Sequence, residues 1–250
     1  MDFPALRAHL VAEAALLRTA AAAAAPGARV PTCPAWTVAD LLDHVTDTYD
    51  HKIQSMRLLK DPGDDYRIDR PGTPADRFDA ALADLLAEFD DRGPDSLAHT
   101  WYGPDQTVGF WIRRMAHETL VHRADAELAA GTPISPVDAA LAADGIDEML
   151  TVMLAWGSRA YRDHVAAPLA GNDGLAIALD TGAQSWTARV EAGTVTVADG
   201  TAPDAPAHVR ADAGTIMLWM WRRVPVESLA VTGDSARAAA FYDLLEAFAQ

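Results

Sequence analysis

Three ionisable residues near the middle of the chain have types and a spacing suited to metal chemistry: Glu118, His122 and Asp125. They lie in Thr107–Leu128, which is predicted to be a helix, and at about 100° per residue they continue its apolar stripe. That stripe contains Val108, Trp111, Ile112 and Met115. Charges on a buried face are costly unless they are paired or bind a cation, and Glu and His one turn apart can share one metal ion. The alternative interpretations are a hydrogen-bonded buried network and a helix end that emerges into solvent.

His117 precedes Glu118 and superficially resembles the start of a His-Glu-x-x-His zinc motif. The next histidine, His122, follows after five residues instead of four, which places the two rings more than a quarter of the helix circumference apart. We therefore predict that His117 is a surface or loop-contacting residue.

A metal held by two side chains needs at least one more protein ligand, and a neighbouring helix of the same bundle is its best source. His44 and His51 are the candidates. His44 lies near the edge of its apolar stripe, and His51 lies on almost the same side two turns later, so periodicity leaves them comparable. A histidine at either position is more commonly exposed to solvent than bound to a metal. A His/His/Glu set would hold zinc or a similar divalent ion with an open position, as catalytic sites do.

Asp125 and three further residues have side chains that could take part in chemistry. Asp125 could accept the second imidazole N–H of a ligand histidine or orient an arginine, and the alternative is a helix-end salt bridge. Cys33 lies between prolines without a histidine partner and is predicted to be a small buried hydrophobe. Arg222 or Arg223 could bind the carboxylate of a small molecule, although two arginines at a helix end more often complement the helix dipole.

The elements that must position these residues change in character near Pro168. Before it, apolar periodicity, caps and Pro/Gly breaks predict an all-helical region. The predicted helices are Phe3 to about Ala25, Thr37 to about Lys60, Thr73-Pro74 through Phe89, Thr107–Leu128, and Ser135-Pro136 through Trp156. After it, β-branched runs predict short antiparallel strands with two helices, which is an α+β domain. These elements are strands Leu175–Asp180, Ser185–Glu191, Thr194–Ala198, Ala207–Ala211 and Ser228–Val231, and helices Gly214–Arg223 and Asp234–Ala249.

The composition indicates a folded protein of two domains: 250 residues, 50% hydrophobic and 22% charged. A formal charge of -16 repels phosphate backbones and anionic membrane surfaces, so neither nucleic acid nor membrane is expected as a partner. No apolar run reaches the roughly 18 residues of a membrane span. The single cysteine and a start without a signal-peptide pattern predict a cytoplasmic protein.

Two motifs together resemble a known family. The first is Pro31-Thr32-Cys33-Pro34-Ala35-Trp36-Thr37-Val38 with Asp40, Leu41 and His44, and the second is Arg114, His117-Glu118, His122 and Asp125. This pattern resembles the mycothiol-dependent maleylpyruvate isomerase family, which belongs to the DinB-like metal-binding helical bundles. Arg222 to Val226 and Val231 to Asp234 look like the ending of that family's second domain.

The resemblance implies a DinB-like four-helix bundle over residues 1–167 and a sterol-carrier-like α+β domain over residues 168–250. It also implies a divalent metal, usually zinc, on His44, Glu118 and His122, which decides against His51. Two positions depart from the family pattern. Ala35 replaces a glycine, and Ala124 replaces a bulky residue that is often tryptophan. The change at Ala124 can alter the wall of the pocket.

The function that the resemblance implies is a zinc- and mycothiol-dependent isomerase or S-transferase acting on a small electrophile. In the isomerisation, a thiolate adds to a conjugated cis double bond and gives an enolate with a rotatable single bond. Expulsion of the thiolate then leaves the trans product. The alternative is a non-enzymatic, metal-stabilised module that binds a small ligand or a protein. Its contact residues would be Met217, Trp219, Met220 and Trp221. The sequence specifies neither the substrate nor the oligomeric state.

Overall fold

The computed structural model describes residues 1–63 and 65–248. The chain divides into two compact units, Met1–Ser135 and Pro136–Gln250. The domains predicted from sequence were divided between residues 167 and 168 instead, so the helices of residues 139–171 lie in the second unit. A helical pattern indicates which face is buried but not which core it contacts, and this explains the difference.

The first unit contains four long helices and a short hairpin. These elements are α1 (Phe3–Ala23), β1 (Arg29–Val30), β2 (Cys33–Thr37), α2 (Val38–Leu58), α3 (Pro74–Arg92) and α4 (Val108–Ala129). Helix α1 packs along α4, and α2 contacts both α3 and α4, which confirms the predicted four-helix bundle.

Local capping sets where α2 and α3 begin. Thr37 Oγ1 accepts a hydrogen bond from the backbone N–H of Asp40, and the Asp40 carboxylate accepts one from the backbone N–H of Thr37. Thr73 and Asp76 form the same reciprocal pair before α3, whose first residue is Pro74. These contacts satisfy backbone donors that have no partner within the helix, so the predicted helix starts at Thr37 and Thr73 are confirmed.

Helix α4 is buried on almost every side. At its start the packing is so close that a Cβ on Gly109 would lie 2.5 Å from the Phe3 ring. Polar and charged side chains on α4 must therefore find their partners inside the protein. Among the described residues, no helix is long and apolar enough to cross a bilayer.

A two-stranded hairpin occupies the segment before α2, where no element was predicted from the sequence. Strands β1 and β2 pair antiparallel, with Arg29 opposite Thr37 and Val30 opposite Cys33. The strands are too short, and too interrupted by proline, for an alternating pattern to show. The hairpin leads directly into the first turn of α2.

The second unit is an α+β fold. Its elements are α5 (Ala139–Glu148), a π-helical segment (Met149–Trp156), α6 (Gly157–Ala160), α7 (Arg162–Gly171), β3 (Ala176–Asp180), β4 (Ser185–Glu191), β5 (Thr194–Asp199), β6 (Ala207–Arg210), α8 (Ala213–Met220), a 3₁₀ turn (Val226–Ser228), β7 (Ala230–Gly233) and α9 (Ser235–Leu245). Helix α5 begins after its N-cap Asp138, slightly later than the predicted start at Ser135-Pro136.

The sheet of the second unit has the strand order β5-β4-β3-β6-β7. Strands β3 and β6 pair in parallel and the other neighbours antiparallel, so the sheet is mixed, whereas the sequence predicted an antiparallel one. Ala192 and Gly193 connect β4 to β5, and both have positive φ, as a two-residue type I′ hairpin turn requires. The predicted end of the last helix, Ala249, lies outside the described residues.

Candidate metal centre

Three potential metal ligands converge in the first unit. His44 projects from α2, and Glu118 and His122 project from α4; one donor atom of each lies within 4.8 Å of the other two. Glu118 Oε1 lies 3.5 Å from His44 Nε2 and 3.2 Å from His122 Nε2. The structure therefore brings together the three residues for which the sequence predicted a shared metal ion.

Helices α2 and α4 are joined beside this cluster. The Tyr49 hydroxyl and Thr119 Oγ1 form a buried hydrogen bond of 2.6 Å, one residue beyond Glu118 on α4. Thr119 Oγ1 also donates to the backbone carbonyl of Met115. Because both partners of the interhelix bond are buried, it fixes the two helices at the level of the cluster.

Arg114 binds the side of Glu118 that faces away from the histidines. Its Nη2 donates to Glu118 Oε2 one turn along α4. Burial alone would raise the pKa of Glu118, but the Arg114 cation and then His122 outweigh burial and hold that pKa well below its usual range. Glu118 is therefore a carboxylate whose second oxygen, Oε1, faces the two imidazoles.

Asp125 orients the ring of His122. Asp125 is fully buried. Its Oδ2 lies 2.9 Å from His122 Nδ1, and its Oδ1 accepts a hydrogen bond of 2.5 Å from Thr32 Oγ1. Burial opposes the charged form of His122, but Glu118 and Asp125 together raise the pKa of the imidazole to about 9. A proton on Nδ1 directs Nε2 toward Glu118, as in the carboxylate–histidine pairs of metal sites. The predicted contact of Asp125 with a histidine of the cluster is present.

Trp36 covers one side of the cluster, and solvent reaches the other. The Trp36 ring lies 4.6 Å from the His44 ring and 6.3 Å from that of His122, measured between centroids. The side chain of His44 is 38% exposed, against 8% for His122. A small molecule can therefore approach the cluster beside His44. Trp36 was part of the sequence motif, but periodicity offered no sign of its contact with His44.

The other two histidines considered from sequence do not join the cluster. His51 Nε2 lies 3.4 Å from Asp61 Oδ1, and its Nδ1 contacts Lys52 and Ser55. His117 is fully buried, so the prediction of a surface position was wrong. The error has a physical cause: α4 has no solvent-facing side onto which His117 could turn.

Arg222 and Arg223 follow α8 in the second unit. Arg222 has a left-handed backbone with φ of 64°. Its Nη1 donates to the carbonyl of Tyr242, and its guanidinium lies 4.3 Å from the centroid of the Tyr242 ring. Arg223 Nη1 donates to the carbonyl of Trp221.

The remaining candidates are partly or fully enclosed. Met217, Trp219 and Met220 are completely buried, which is the packing of a core. Cys33, predicted to be buried, is half-buried on β2.

Two family models match the chain. The model described as "Mycothiol maleylpyruvate isomerase N-terminal domain" matches residues 7–127, and the one described as "MDMPI C-terminal domain" matches residues 140–240. No curated protein matches the chain.

Two solved structures show weak similarity. A "UbiJ-SCP2 Ubiquinone synthesis protein" is 21% identical, over 45% of this chain and 93% of its own, with a TM-score of 0.32. The sec-alkylsulfatase Pisa1 from Pseudomonas sp. is 15% identical, with a TM-score of 0.32, over 82% of this chain and 29% of its own. The chain thus spans less than a third of the alkylsulfatase, and TM-scores of this size carry no functional argument.

Proposed function

The chain belongs to the mycothiol maleylpyruvate isomerase family, and from this premise we propose that it is a metal- and thiol-dependent enzyme acting on a small electrophilic substrate. One observation carries the proposal: donor atoms of His44, Glu118 and His122 converge from two helices to within 4.8 Å of one another.

The donor set suits zinc. Zn²⁺ is commonly held by imidazole nitrogen and carboxylate oxygen, and catalytic zinc sites keep one position for water or substrate. Asp125 is engaged by His122 and Thr32, which leaves three protein ligands in the cluster. With neutral imidazoles, Glu118 supplies a single negative charge, so a bound Zn²⁺ would keep a net positive charge able to accept one thiolate.

A divalent ion in this position would supply Lewis-acid chemistry, lowering the pKa of a coordinated thiol or stabilising negative charge on a substrate oxygen. The protein's own residues prepare the position. Arg114 engages Oε2 of Glu118 and leaves Oε1 directed at the histidines. The exposed edge of His44 provides an approach for the thiol and the substrate.

We propose thiol-assisted cis–trans isomerisation or thiol S-transfer as the reaction, with mycothiol as the thiol. In the first, the thiolate forms a C–S bond to a conjugated alkene, the resulting enolate rotates about its single bond, and the same C–S bond breaks. In the second, the C–S bond persists in the product, and either the anion formed by addition takes up a proton or a leaving group departs with the electron pair of its broken bond. Arg222 and Arg223 are proposed to bind a carboxylate of substrate or thiol, since a guanidinium matches a carboxylate in two hydrogen bonds.

The first test is metal binding by matched variants on α2. We expect one zinc ion per parent chain by elemental analysis after dialysis, and one in His51→Ala, because His51 is directed at Asp61. His44→Ala should lose zinc. Equal zinc affinity in His44→Ala and the parent would refute the assignment of His44.

The second test is thiol binding. Calorimetry should detect mycothiol binding to the zinc-loaded parent chain and none to His44→Ala. In cobalt-substituted protein, direct sulfur ligation should add intense near-ultraviolet charge-transfer absorption. Binding without that band would place the thiol beside the metal instead of on it. No binding at millimolar mycothiol would remove the basis of both reactions and favour the metal-stabilised binding module.

A further inference from the structure

The hairpin of β1 and β2 contacts both histidines of the candidate centre, although it contributes no ligand itself. Thr32, in the turn between the strands, donates its hydroxyl hydrogen to Asp125 Oδ1 at 2.5 Å, and Asp125 Oδ2 in turn contacts His122 Nδ1. Trp36, on β2, places its ring 4.6 Å from the ring of His44. Two ligands on different helices are thus held from one short segment.

The contact of Thr32 matters because Asp125 is fully buried. A buried carboxylate needs hydrogen-bond donors for both of its oxygens. Asp125 receives them from two separate elements: His122 on its own helix and Thr32 on the hairpin. Without the hydroxyl of Thr32, Oδ1 would lose this donor, and the carboxylate could rotate away from the plane that suits His122 Nδ1.

The orientation of His122 depends on that carboxylate. With its Nδ1 bonded to Asp125, the ring directs Nε2 toward Glu118 Oε1, 3.2 Å away. Partners of this kind fix the ring and the tautomer of a metal-ligating histidine, and their loss typically weakens metal binding about 10–100-fold. Thr32 contacts Asp125 and not the histidine itself, so the loss of its hydroxyl should weaken metal binding by a factor near the lower end of that range.

We propose that Thr32 is a positioning residue of the metal centre, which acts through Asp125 to hold His122 Nε2 in its ligating direction. The proposal rests on the proposed metal site and extends it to the hairpin before α2. It also gives the Thr-Cys-Pro segment a role that does not involve the cysteine thiol: the segment carries the hydroxyl, and the Trp36 contact holds the same hairpin against His44.

The test compares Thr32→Val, which keeps the branched shape and removes the hydroxyl, with Thr32→Ser, which keeps the hydroxyl. Zinc affinity is measured by competition with a chromophoric chelator in the full chain. We expect about tenfold weaker binding in Thr32→Val and nearly parental binding in Thr32→Ser. The visible ligand-field bands of the cobalt-loaded protein should shift in Thr32→Val only, because those bands report ligand geometry.

Parental affinity and an unchanged cobalt spectrum in Thr32→Val would overturn the proposal. Equally weak binding by both variants would also overturn it, since the loss would then follow from hairpin packing instead of the hydroxyl.

A metal-free measurement separates this inference from the proposed function. In ¹⁵N-labelled protein, the proton on His122 Nδ1 should exchange slowly in the parent and rapidly in Thr32→Val. Retention of slow exchange in Thr32→Val would refute the role of Thr32 whether or not zinc binds. Failure of the parent to bind zinc would refute the proposed function.

Discussion

Two clusters of charged side chains share helix α4, and each contains one arginine and two carboxylates. In the first, Arg123 donates from Nε to Glu13 and from Nη1 to Glu127, both at 2.8 Å. In the second, Arg114 binds Glu118, and Asp125 binds His122. The arginine and the carboxylates of each cluster sum to the same formal charge, yet only the second cluster brings three metal-ligand donors together.

The difference lies in where the oxygen lone pairs point. Arg123 is fully buried, and its Nη1 also donates to the carbonyl of Ser135, whose N–H returns to Glu127. The protein itself supplies the cation and the donors of that cluster, and it is closed to solvent. Around Glu118, one oxygen faces two imidazole nitrogens, and the neighbouring His44 is partly open to solvent. A buried charge cluster thus stabilises the fold when its cation is a side chain, and it can bind a cation from solution when its donors converge on an accessible position.

The largest expected effect comes from removing the buried guanidinium of Arg123. Arg123→Met should lower the free energy of unfolding by about 3–5 kcal/mol, because Glu13 and Glu127 would remain buried without their partner. Urea denaturation measures this loss. Arg18→Met, which breaks the exposed pair with Asp79, is the control and should cost less than about 1 kcal/mol. Similar losses in the two variants would contradict the structural role given to the Arg123 cluster.

The next-largest effect concerns a zinc ion bound to the cluster of His44, Glu118 and His122. Zinc at a hundred times its Kd should raise the free energy of unfolding of the parent chain by about 2.7 kcal/mol, because the ion binds only the folded state. Arg123→Met should keep this increment despite its lower stability, and His44→Ala should lose it. Thermal denaturation with and without zinc measures the increment. If Arg123→Met loses the increment as well, the two clusters are coupled and the contrast between them fails.

The smallest effect distinguishes two acidic residues two positions apart on α4. Asp125→Asn should weaken zinc binding about 10–100-fold, or about 1.4–2.7 kcal/mol, because the amide is a poorer acceptor for the imidazole N–H. Glu127→Gln should leave zinc affinity unchanged and lower stability, since Glu127 bonds Arg123. Chelator competition measures both affinities. The reverse outcome, with Glu127→Gln the weaker binder, would exchange the roles of the two clusters.

Local features of the fold were predictable from sequence. The start of α2 at Thr37 depends on contacts with Asp40, three residues away, and the buried face of α2 follows a simple period. Arg123 and its partner Glu13 were missed, because the pairing joins α4 to α1 across 110 positions. An apolar stripe indicates a helix with one buried side, but α4 is buried almost all round, so the predicted surface position of His117 was wrong.

The candidate site was predictable only in part. The spacing of Glu118 and His122 indicated a shared ligand, because both belong to one helix. The choice between His44 and His51 depended on family resemblance, since their helical angles are nearly the same. In the structure His51 contacts Asp61, a residue from the connection after α2 whose position periodicity cannot supply. The role of His44, Glu118 and His122 as metal ligands stays a prediction until the variants are measured.

The span of the cluster along the chain also bears on how the bundle folds. Glu118 and His122 come close together as soon as α4 forms. His44 lies on α2, and all of α3 separates it in sequence from the other two. The complete ligand set therefore assembles only after α2 has docked on α4, a contact of high sequence separation. A metal ion held there would cross-link α2 to α4, close a long loop and lower the conformational entropy of partly unfolded states. Zinc should accordingly slow the separation of α2 from α4 more than it speeds their first encounter.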